Sequence, residues 1–184
     1  VFFLAWTTTP WTLPSNLGLT VGPNIDYVLV KTFNPYTHLP INVILAKNLL
    51  GKYFKAEGEN GAFDTYSAET KLIPWAVLEE FKGSELEGMA YEQLLPFEAN
   101  TLEKIQELTP GAQPFRVITG DFVTTEDGTG IVHTAPAFGA DDFRVGKKNN
   151  LGILTLVDKQ GKFIDGVGEF SGRYVKNYKD EKDY

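Results

Sequence analysis

Alternating apolar and polar residues along the chain predict many short β-strands separated by turns. Two such stretches, at 17–21 and 27–32, flank a Gly-Pro-Asn turn, and an apolar stretch at 1–6 is typical of a buried strand. Further short strands are predicted at 115–119, 122–125, 153–157 and 162–164. Helical spacing of apolar residues predicts a helix over 41–54, and a short helix is expected over 75–81. Acids followed by lysines predict a helix over 141–148, and 102–108 is a short amphipathic stretch. Because strands and helices do not alternate regularly, the pattern predicts an α+β fold, a β-barrel core with short peripheral helices.

The segment 128–142, GTGIVHTAPAFGADD, combines a predicted strand, a loop and the start of a helix. Two β-branched residues suit a buried strand that ends at His133, and Pro136 and Gly139 favour a loop after it. Asp142 then lies in the first turn of the predicted helix. An imidazole and a carboxylate are therefore expected around one concavity. The same spacing also fits a buried structural histidine beside an ordinary helix-capping aspartate.

A second polar segment, TTTPWTLPSN at 7–16, comes directly after the first predicted strand. In an extended chain Thr7 and Thr9 face one side and Thr8 faces the other. The segment is therefore expected to form an irregular rim that is rich in hydroxyl groups. A sheet edge at which prolines block further pairing is the alternative interpretation.

Composition narrows the class of protein. The 184 residues fit one domain with a buried core, and the turn-rich interval 34–63 is a candidate peripheral insertion. No apolar run approaches the ~18 residues that span a bilayer. The lack of cysteine excludes disulfides and thiolate metal sites and favours the cytoplasm. Only two histidines are present, His38 in a predicted loop and His133, so an imidazole-rich zinc site is excluded as well.

The formal net charge of −7 bears on possible partners. A free-standing nucleic-acid binder is normally basic, so if this chain meets RNA, most of the attraction for phosphate must come from elsewhere. Because the chain starts inside an apolar strand pattern, we expect it to be one domain of a larger protein.

Several enzyme classes lack their motifs here. There is no Walker A sequence, and GTGIVH has His133 where a dinucleotide-binding fingerprint needs its last glycine. There is no G-x-S-x-G elbow of a serine hydrolase and no pair of aspartic-protease loops. These classes are therefore excluded.

Together, the segments 7–16 and 128–142 resemble the editing domain inserted in the catalytic domain of isoleucyl-tRNA synthetase, a class I aminoacyl-tRNA synthetase. The likeness runs over nearly the whole chain and includes KGSELEG...Y...PF at 82–97 and GEFSGRYV at 168–175. Editing domains of the valyl and leucyl enzymes typically carry Thr-Thr-Arg-Pro, where this chain reads Thr-Thr-Thr-Pro-Trp. That difference selects the isoleucyl family. The interval 34–63 matches no part of the family pattern.

The resemblance implies that residues 1–184 are a single editing domain from a larger synthetase, with a β-barrel and peripheral helices. It implies hydrolysis of mischarged valyl-tRNA(Ile), and of valyl-adenylate as a second substrate. The implied partners are the 3′ end of tRNA(Ile) carrying valine and the catalytic core of the parent synthetase. The resemblance further implies a cytoplasmic monomer without a membrane partner, and a domain without metal or cofactor, since ATP and Mg²⁺ serve the parent enzyme elsewhere.

The resemblance also implies roles for the catalytic candidates. Asp142 is expected to bind the α-ammonium group of the aminoacyl moiety through a charge-assisted hydrogen bond. The hydroxyls of Thr7, Thr8 and Thr9 are expected to hold the attacking water and the substrate carbonyl, and Thr8 or Thr9 to narrow the side-chain pocket. His133 is expected to orient the ester, the terminal ribose or a water, as a general base or as a positioning group.

Three more residues are expected to bind substrate beside Asp142. Trp11 and Phe138 are expected to form walls for the terminal adenosine or the amino acid, and Asn16 to lie on the polar rim. Two alternatives to an isoleucyl editing enzyme stay open at this point. One is a catalytically silent domain that only docks tRNA, and the other is the editing domain of the related valyl enzyme.

Overall fold

A computed structural model describes residues 1–176. The chain divides into two compact units. The first unit contains residues 1–6, 20–87 and 119–132, and the second contains residues 7–19, 88–118 and, of the described residues, 133–176.

Short elements of regular structure are spread along the described chain. The strands are β1 (Phe2–Phe3), β2 (Gly18–Val21), β3 (Asp26–Phe33), β4 (Pro40–Ala46), β5 (Ala76–Lys82), β6 (Arg116–Thr119) and β7 (Ile131–Thr134). The α-helices are α1 (Leu50–Tyr53), α2 (Gly83–Leu86), α3 (Leu102–Leu108) and α4 (Ala140–Lys148). Short 3₁₀ helices lie at Pro10–Ser15, Lys47–Leu49, Ala56–Gly58, Glu98–Asn100 and Gly168–Phe170.

A four-stranded sheet with the order β1-β4-β3-β5 forms the centre of the first unit. Strand β3 is antiparallel to both of its neighbours, and β1 runs parallel to β4. Tyr27 pairs with Ala46 and Phe33 with Pro40, so β3 and β4 pair over almost their whole length. Alternate residues of these strands point to one face. There Val28, Val30, Val43 and Leu45 build a core cluster together with Trp75, which precedes β5.

Two predicted helices are wrong because they fall in this sheet. The first half of 41–54 is strand β4, where a continuous apolar run fits a strand buried on both faces as well as it fits a helix. The segment 75–81 coincides with the edge strand β5. The interval 34–63 contains β4, which is an inner strand of this sheet.

A three-stranded sheet has the order β6-β2-β7 and contains the strands predicted near 17–21, 115–119 and before His133. The expected α+β class is confirmed, whereas the strands of residues 1–176 lie in two sheets and do not show a closed barrel. Within the same residues, the strands predicted at 122–125, 153–157 and 162–164 are absent as ladders. Isolated bridges join Val157 to Phe163 and Lys162 to Tyr174 instead.

Helix α4 belongs to the second unit and begins one residue before its predicted start. Asp141 and Asp142 lie in its first turn and Lys147 and Lys148 in its last, so each charge opposes the partial charge of the nearer helix end. Among the residues that the structure describes, no helix combines the length and the apolar content of a membrane span.

Candidate functional site

Three backbone hydrogen bonds lay four segments of the second unit side by side. The Leu17 amide donates to the Thr134 carbonyl at 3.0 Å, and the Phe115 amide donates to the Leu17 carbonyl at 2.7 Å. The Tyr91 amide donates in turn to the Phe115 carbonyl at 2.9 Å. Side chains near these positions are thereby brought together across long stretches of sequence.

His133 occupies the centre of the resulting cluster and is only 7% exposed. Its Nδ1 lies 2.8 Å from Asn16 Nδ2, and its Nε2 lies 2.9 Å from Thr12 Oγ1. Asn16 Nδ2 also donates to the Gly18 carbonyl at 2.9 Å, which fixes the amide orientation because a carbonyl only accepts. Nδ1 of the imidazole is therefore an acceptor, and the ring proton resides on Nε2 and is donated to Thr12.

Thr12 joins this histidine to the threonine segment. Its hydroxyl donates to the Thr9 carbonyl at 2.8 Å, within the 3₁₀ helix Pro10–Ser15 and its N-terminal cap. The Thr9 amide donates to Thr7 Oγ1 at 3.0 Å, and the two hydroxyl oxygens of Thr7 and Thr9 are 3.3 Å apart. Thr8 is exposed. The alternation of the three side chains is thus as predicted, and a pair of hydroxyls is held on one side.

The protonation of His133 depends on its surroundings. Burial lowers the pKa of the imidazole from 6.5 to about 4, since a charged ring loses its hydration there. The ring is neutral near pH 7, and both of its nitrogens have protein partners. This geometry favours a positioning group over a general base.

Asp142 closes the loop between β7 and α4. Its Oδ2 accepts a hydrogen bond from the Ala135 amide at 2.8 Å, and burial raises the pKa of this half-buried carboxyl although that hydrogen bond lowers it. Gly139, which precedes α4, leaves room for this arrangement: a Cβ there would lie 3.2 Å from the Asp142 carboxyl carbon. The carboxylate therefore supports the loop, a structural role beside the predicted binding role.

The remaining predicted residues lie in different places. Asn16 is buried rather than on a rim, because its side chain contacts His133. Phe138 is 36% exposed in the loop before α4. Trp11 lines a cleft of about 620 Å³ in the second unit, and Phe138 is not part of its lining. The Lys176 ammonium lies 5.2 Å from the centre of the Trp11 ring in this cleft.

Sequence reasoning missed two residues of the cluster. Thr12 belongs to the segment 7–16 but is not among the predicted site residues, although a hydroxyl three residues after Thr9 fits a 3₁₀ turn. Tyr91 is the tyrosine of the block at 82–97, and its hydroxyl donates to Asn16 Oδ1 at 2.5 Å. Because this block is part of the family resemblance, its tyrosine could have been predicted as a site residue.

Comparison with known proteins identifies the relatives of this chain. No family model matches it. The isoleucine–tRNA ligase of Cytophaga hutchinsonii is 54% identical over 95% of this chain and 16% of its own length. The isoleucine–tRNA ligase of Porphyromonas gingivalis is 55% identical over 94% of this chain and 14% of its own length. The chain therefore spans only about 14–16% of the length of these relatives.

Solved structures with a similar fold are editing domains. The editing domain of the cytosolic leucyl-tRNA synthetase of P. falciparum superposes with a TM-score of 0.52 at 18% identity, over 77% of this chain and 43% of that one. A second crystal form gives a TM-score of 0.50 at 18% identity, over 80% and 47%. At such identities the likeness concerns the fold, while the ligases named above supply the family. This chain belongs to the isoleucyl-tRNA synthetase family, and its fold is similar to that of synthetase editing domains.

Proposed function

We propose that this domain hydrolyses the ester bond of valyl-tRNA(Ile), with valyl-adenylate as a second substrate, as the proofreading part of a cytoplasmic, monomeric synthetase. The observation that supports the proposal most directly is the pair of hydroxyls of Thr7 and Thr9, whose oxygens are 3.3 Å apart. His133 supports this pair because it contacts Thr12, whose hydroxyl donates to the Thr9 carbonyl. Its partners are the 3′ end of tRNA(Ile) and the catalytic core of the parent enzyme.

The need for such a site arises from the limits of binding. A pocket that accepts isoleucine gains only ~1–3 kcal/mol from one methylene, and isoleucine against valine on the isoleucyl enzyme is itself the standard example of this limit. A second pocket that admits valine and is too small for isoleucine supplies the missing discrimination. In that pocket the unwanted amino acid is the one that fits.

Water and carbonyl are held by the threonine hydroxyls in this proposal. Hydroxyls both donate and accept, so Thr7 and Thr9 can orient an attacking water and polarise the ester carbonyl at the same time. Water adds to the carbonyl carbon, the bond to the ribose oxygen then breaks, and a proton from the water ends on that oxygen, which gives free valine and the ribose hydroxyl of the tRNA. Neither threonine is a base, and His133 contributes by holding Thr12, and thus the Thr9 backbone, in place.

Substrate charge is met by Asp142 in this proposal. The α-ammonium of the valyl group adjoins the scissile carbonyl, and it suits a carboxylate that contacts the Ala135 amide, two residues after His133. An ionised carboxylate accepts about four hydrogen bonds, so the bond from Ala135 does not exhaust it. Trp11 and Phe138 remain proposed contacts of the adenosine or the amino acid.

A deacylation assay with charged tRNA(Ile) tests the proposal. We expect the chain to release valine from valyl-tRNA(Ile) and to leave isoleucyl-tRNA(Ile) intact. Thr8→Ala is expected to admit isoleucine, because it removes volume from a pocket in which one additional methylene costs ~1–3 kcal/mol and leaves the hydroxyl pair of Thr7 and Thr9 intact. Thr9→Ala is the companion variant, in which the loss of one hydroxyl of that pair is expected to slow deacylation. Absence of deacylation under conditions in which the folded chain contacts tRNA supports the silent docking domain instead.

A further inference from the structure

Tyr91 lies outside both polar motifs and nevertheless reaches the site. It comes directly after Ala90, which forms an isolated bridge with Arg116, and its ring packs edge-on against Phe115 with centroids 6.3 Å apart. Its hydroxyl donates to Asn16 Oδ1 at 2.5 Å, and burial raises the pKa of this phenol well above its usual range. The hydroxyl is therefore a permanent donor that is aimed at one atom of Asn16.

The oxygen and both N–H groups of the Asn16 amide have hydrogen-bond partners. Its oxygen accepts from Tyr91, and its nitrogen donates to the Gly18 carbonyl and to His133 Nδ1. Rotation of the amide by half a turn would bring its oxygen against the Gly18 carbonyl, two acceptors facing each other. Tyr91 and Gly18 thus hold the amide in one orientation from opposite ends.

That orientation of the Asn16 amide selects the tautomer of His133. The tautomer then determines which partner donates in the hydrogen bond between His133 and Thr12. With Nδ1 as the acceptor, Nε2–H donates to Thr12, and the Thr12 hydroxyl is free to donate to the Thr9 carbonyl. In the opposite tautomer Nε2 would accept the Thr12 proton, and the Thr9 carbonyl would lose this donor. The four hydrogen bonds that connect Tyr91 to the Thr9 carbonyl in this way are 2.5–2.9 Å long.

We propose that Tyr91 is a positioning residue of this site, which together with the Gly18 carbonyl sets the Nε2–H tautomer of His133 through Asn16 and thereby fixes the hydroxyl pair of Thr7 and Thr9. The effect on catalysis rests on the proposed deacylase function, whereas the effect on the tautomer does not. Tyr91 does not touch the reacting atoms, so its contribution is to turnover rather than to substrate affinity.

Two-bond ¹H–¹⁵N spectra of the histidine rings test the structural half of the proposal. The chain has two histidines, so a His38→Gln variant assigns both rings. In the wild type we expect an unprotonated Nδ1 and a protonated Nε2 at His133. In Tyr91→Phe we expect the ¹⁵N chemical shifts of Nδ1 and Nε2 to move towards each other, because a mixture of tautomers averages them. Tyr66→Phe is the matched control, because it removes a tyrosine hydroxyl that contacts His38 Nδ1 at 2.7 Å in the other unit.

Deacylation of valyl-tRNA(Ile) by the same variants tests the catalytic half. The loss of one hydrogen bond predicts a fall in kcat of roughly 3- to 10-fold in Tyr91→Phe, with KM unchanged within about twofold. The control Tyr66→Phe is expected to match the wild type. A wild-type tautomer in Tyr91→Phe, or a shifted tautomer with an unchanged kcat, overturns the proposal. An inactive wild type that still shows the tautomer shift contradicts the proposed function alone.

A second variant covers the case in which Tyr91→Phe does not fold. Asn16→Asp replaces the donating amide by a carboxylate, which can only accept from His133. We expect Nδ1 to become protonated, as in a histidine paired with a carboxylate, and deacylation to fall at least as far as in Tyr91→Phe. An unprotonated Nδ1 in Asn16→Asp contradicts the control of the tautomer by this amide.

Discussion

At the scale of the single residue, buried His133 ties the stability of the domain to pH. Its pKa is about 4 in the folded state against 6.5 for a free imidazole, so between these values the unfolded chain binds a proton that the native chain does not. Stability therefore falls as the pH drops through 6.5 towards 4, and this contribution stops changing below 4. The predicted loss is roughly 3 kcal/mol.

Urea unfolding at pH 7 and pH 4.5 measures this loss, with His133→Gln as the comparison that removes the titrating group. Asp142 acts in the opposite sense, because a raised carboxyl pKa favours the native state as the pH falls towards 3.8. The contribution of the histidine is therefore the difference between the two chains at each pH. Equal losses of stability in the wild type and His133→Gln contradict the prediction.

A pair of substitutions separates the structural role of Asp142 from its proposed role in substrate binding. Asp142→Asn keeps an oxygen that accepts from Ala135 and removes the charge, whereas Asp142→Ala removes both. We expect both variants to lower deacylation at least ~10-fold, since a hydrogen bond to a charged group is lost, and only Asp142→Ala to lower the melting temperature clearly. Asp141→Ala is the control, because its partner is Arg144 on the exposed side of α4. An active Asp142→Asn would show that charge is not what binds the substrate.

At the scale of elements, the start of β7 depends on a residue without a side chain. Gly130 has a φ of +75°, and a Cβ there would lie 2.5 Å from the Ala46 Cβ. Gly130→Ala is therefore predicted to destabilise the domain by at least about 1–3 kcal/mol, through strain and overpacking. Gly51→Ala in α1 is the matched control, since no atom lies within 4 Å of its added Cβ. We expect it to be neutral or to stabilise by roughly 0.5–1 kcal/mol. Thermal melting of both variants checks the contrast.

The elements that could be predicted from sequence are those with a clear local pattern. Strands β2 and β3 lie in stretches with an alternating sequence pattern, and α4 has acids in its first turn and lysines in its last. Strand β4 has the apolar spacing of a helix because its last four residues are all buried, which removes the period of two. Spacing alone could not decide there between a strand and a helix.

The residues of the candidate site also divide into those that could be predicted from the sequence and those that could not. His133, Asp142 and the three threonines stand out because they are polar residues within two unusual short segments. Tyr91 and the inward position of Asn16 could not be predicted from local patterns, because their contact joins residues 75 positions apart. Hydrogen-bond partners at that distance leave no period in the sequence.

At the scale of the whole molecule, charge limits what this chain does alone. Its net charge is −7, and phosphate neutralisation dominates the affinity of proteins for nucleic acids. We expect the isolated chain to bind tRNA(Ile) with a Kd of roughly micromolar or weaker, and more weakly as salt rises. Filter binding or fluorescence titration at several salt concentrations measures this. Nanomolar binding by the chain alone contradicts the expectation that the parent synthetase supplies most of the contact.

The long reach of the contacts around His133 also has a consequence for synthesis on the ribosome. Its partners Thr12 and Asn16 precede it by 121 and 117 residues, so they leave the exit tunnel long before it does. Contacts of such sequence separation form only after the chain has closed a large loop, at a cost in entropy that slows folding. The nascent threonine segment therefore has no imidazole to brace it until most of the domain has been translated, and chains truncated before residue 133 carry the hydroxyls without the support that aligns them.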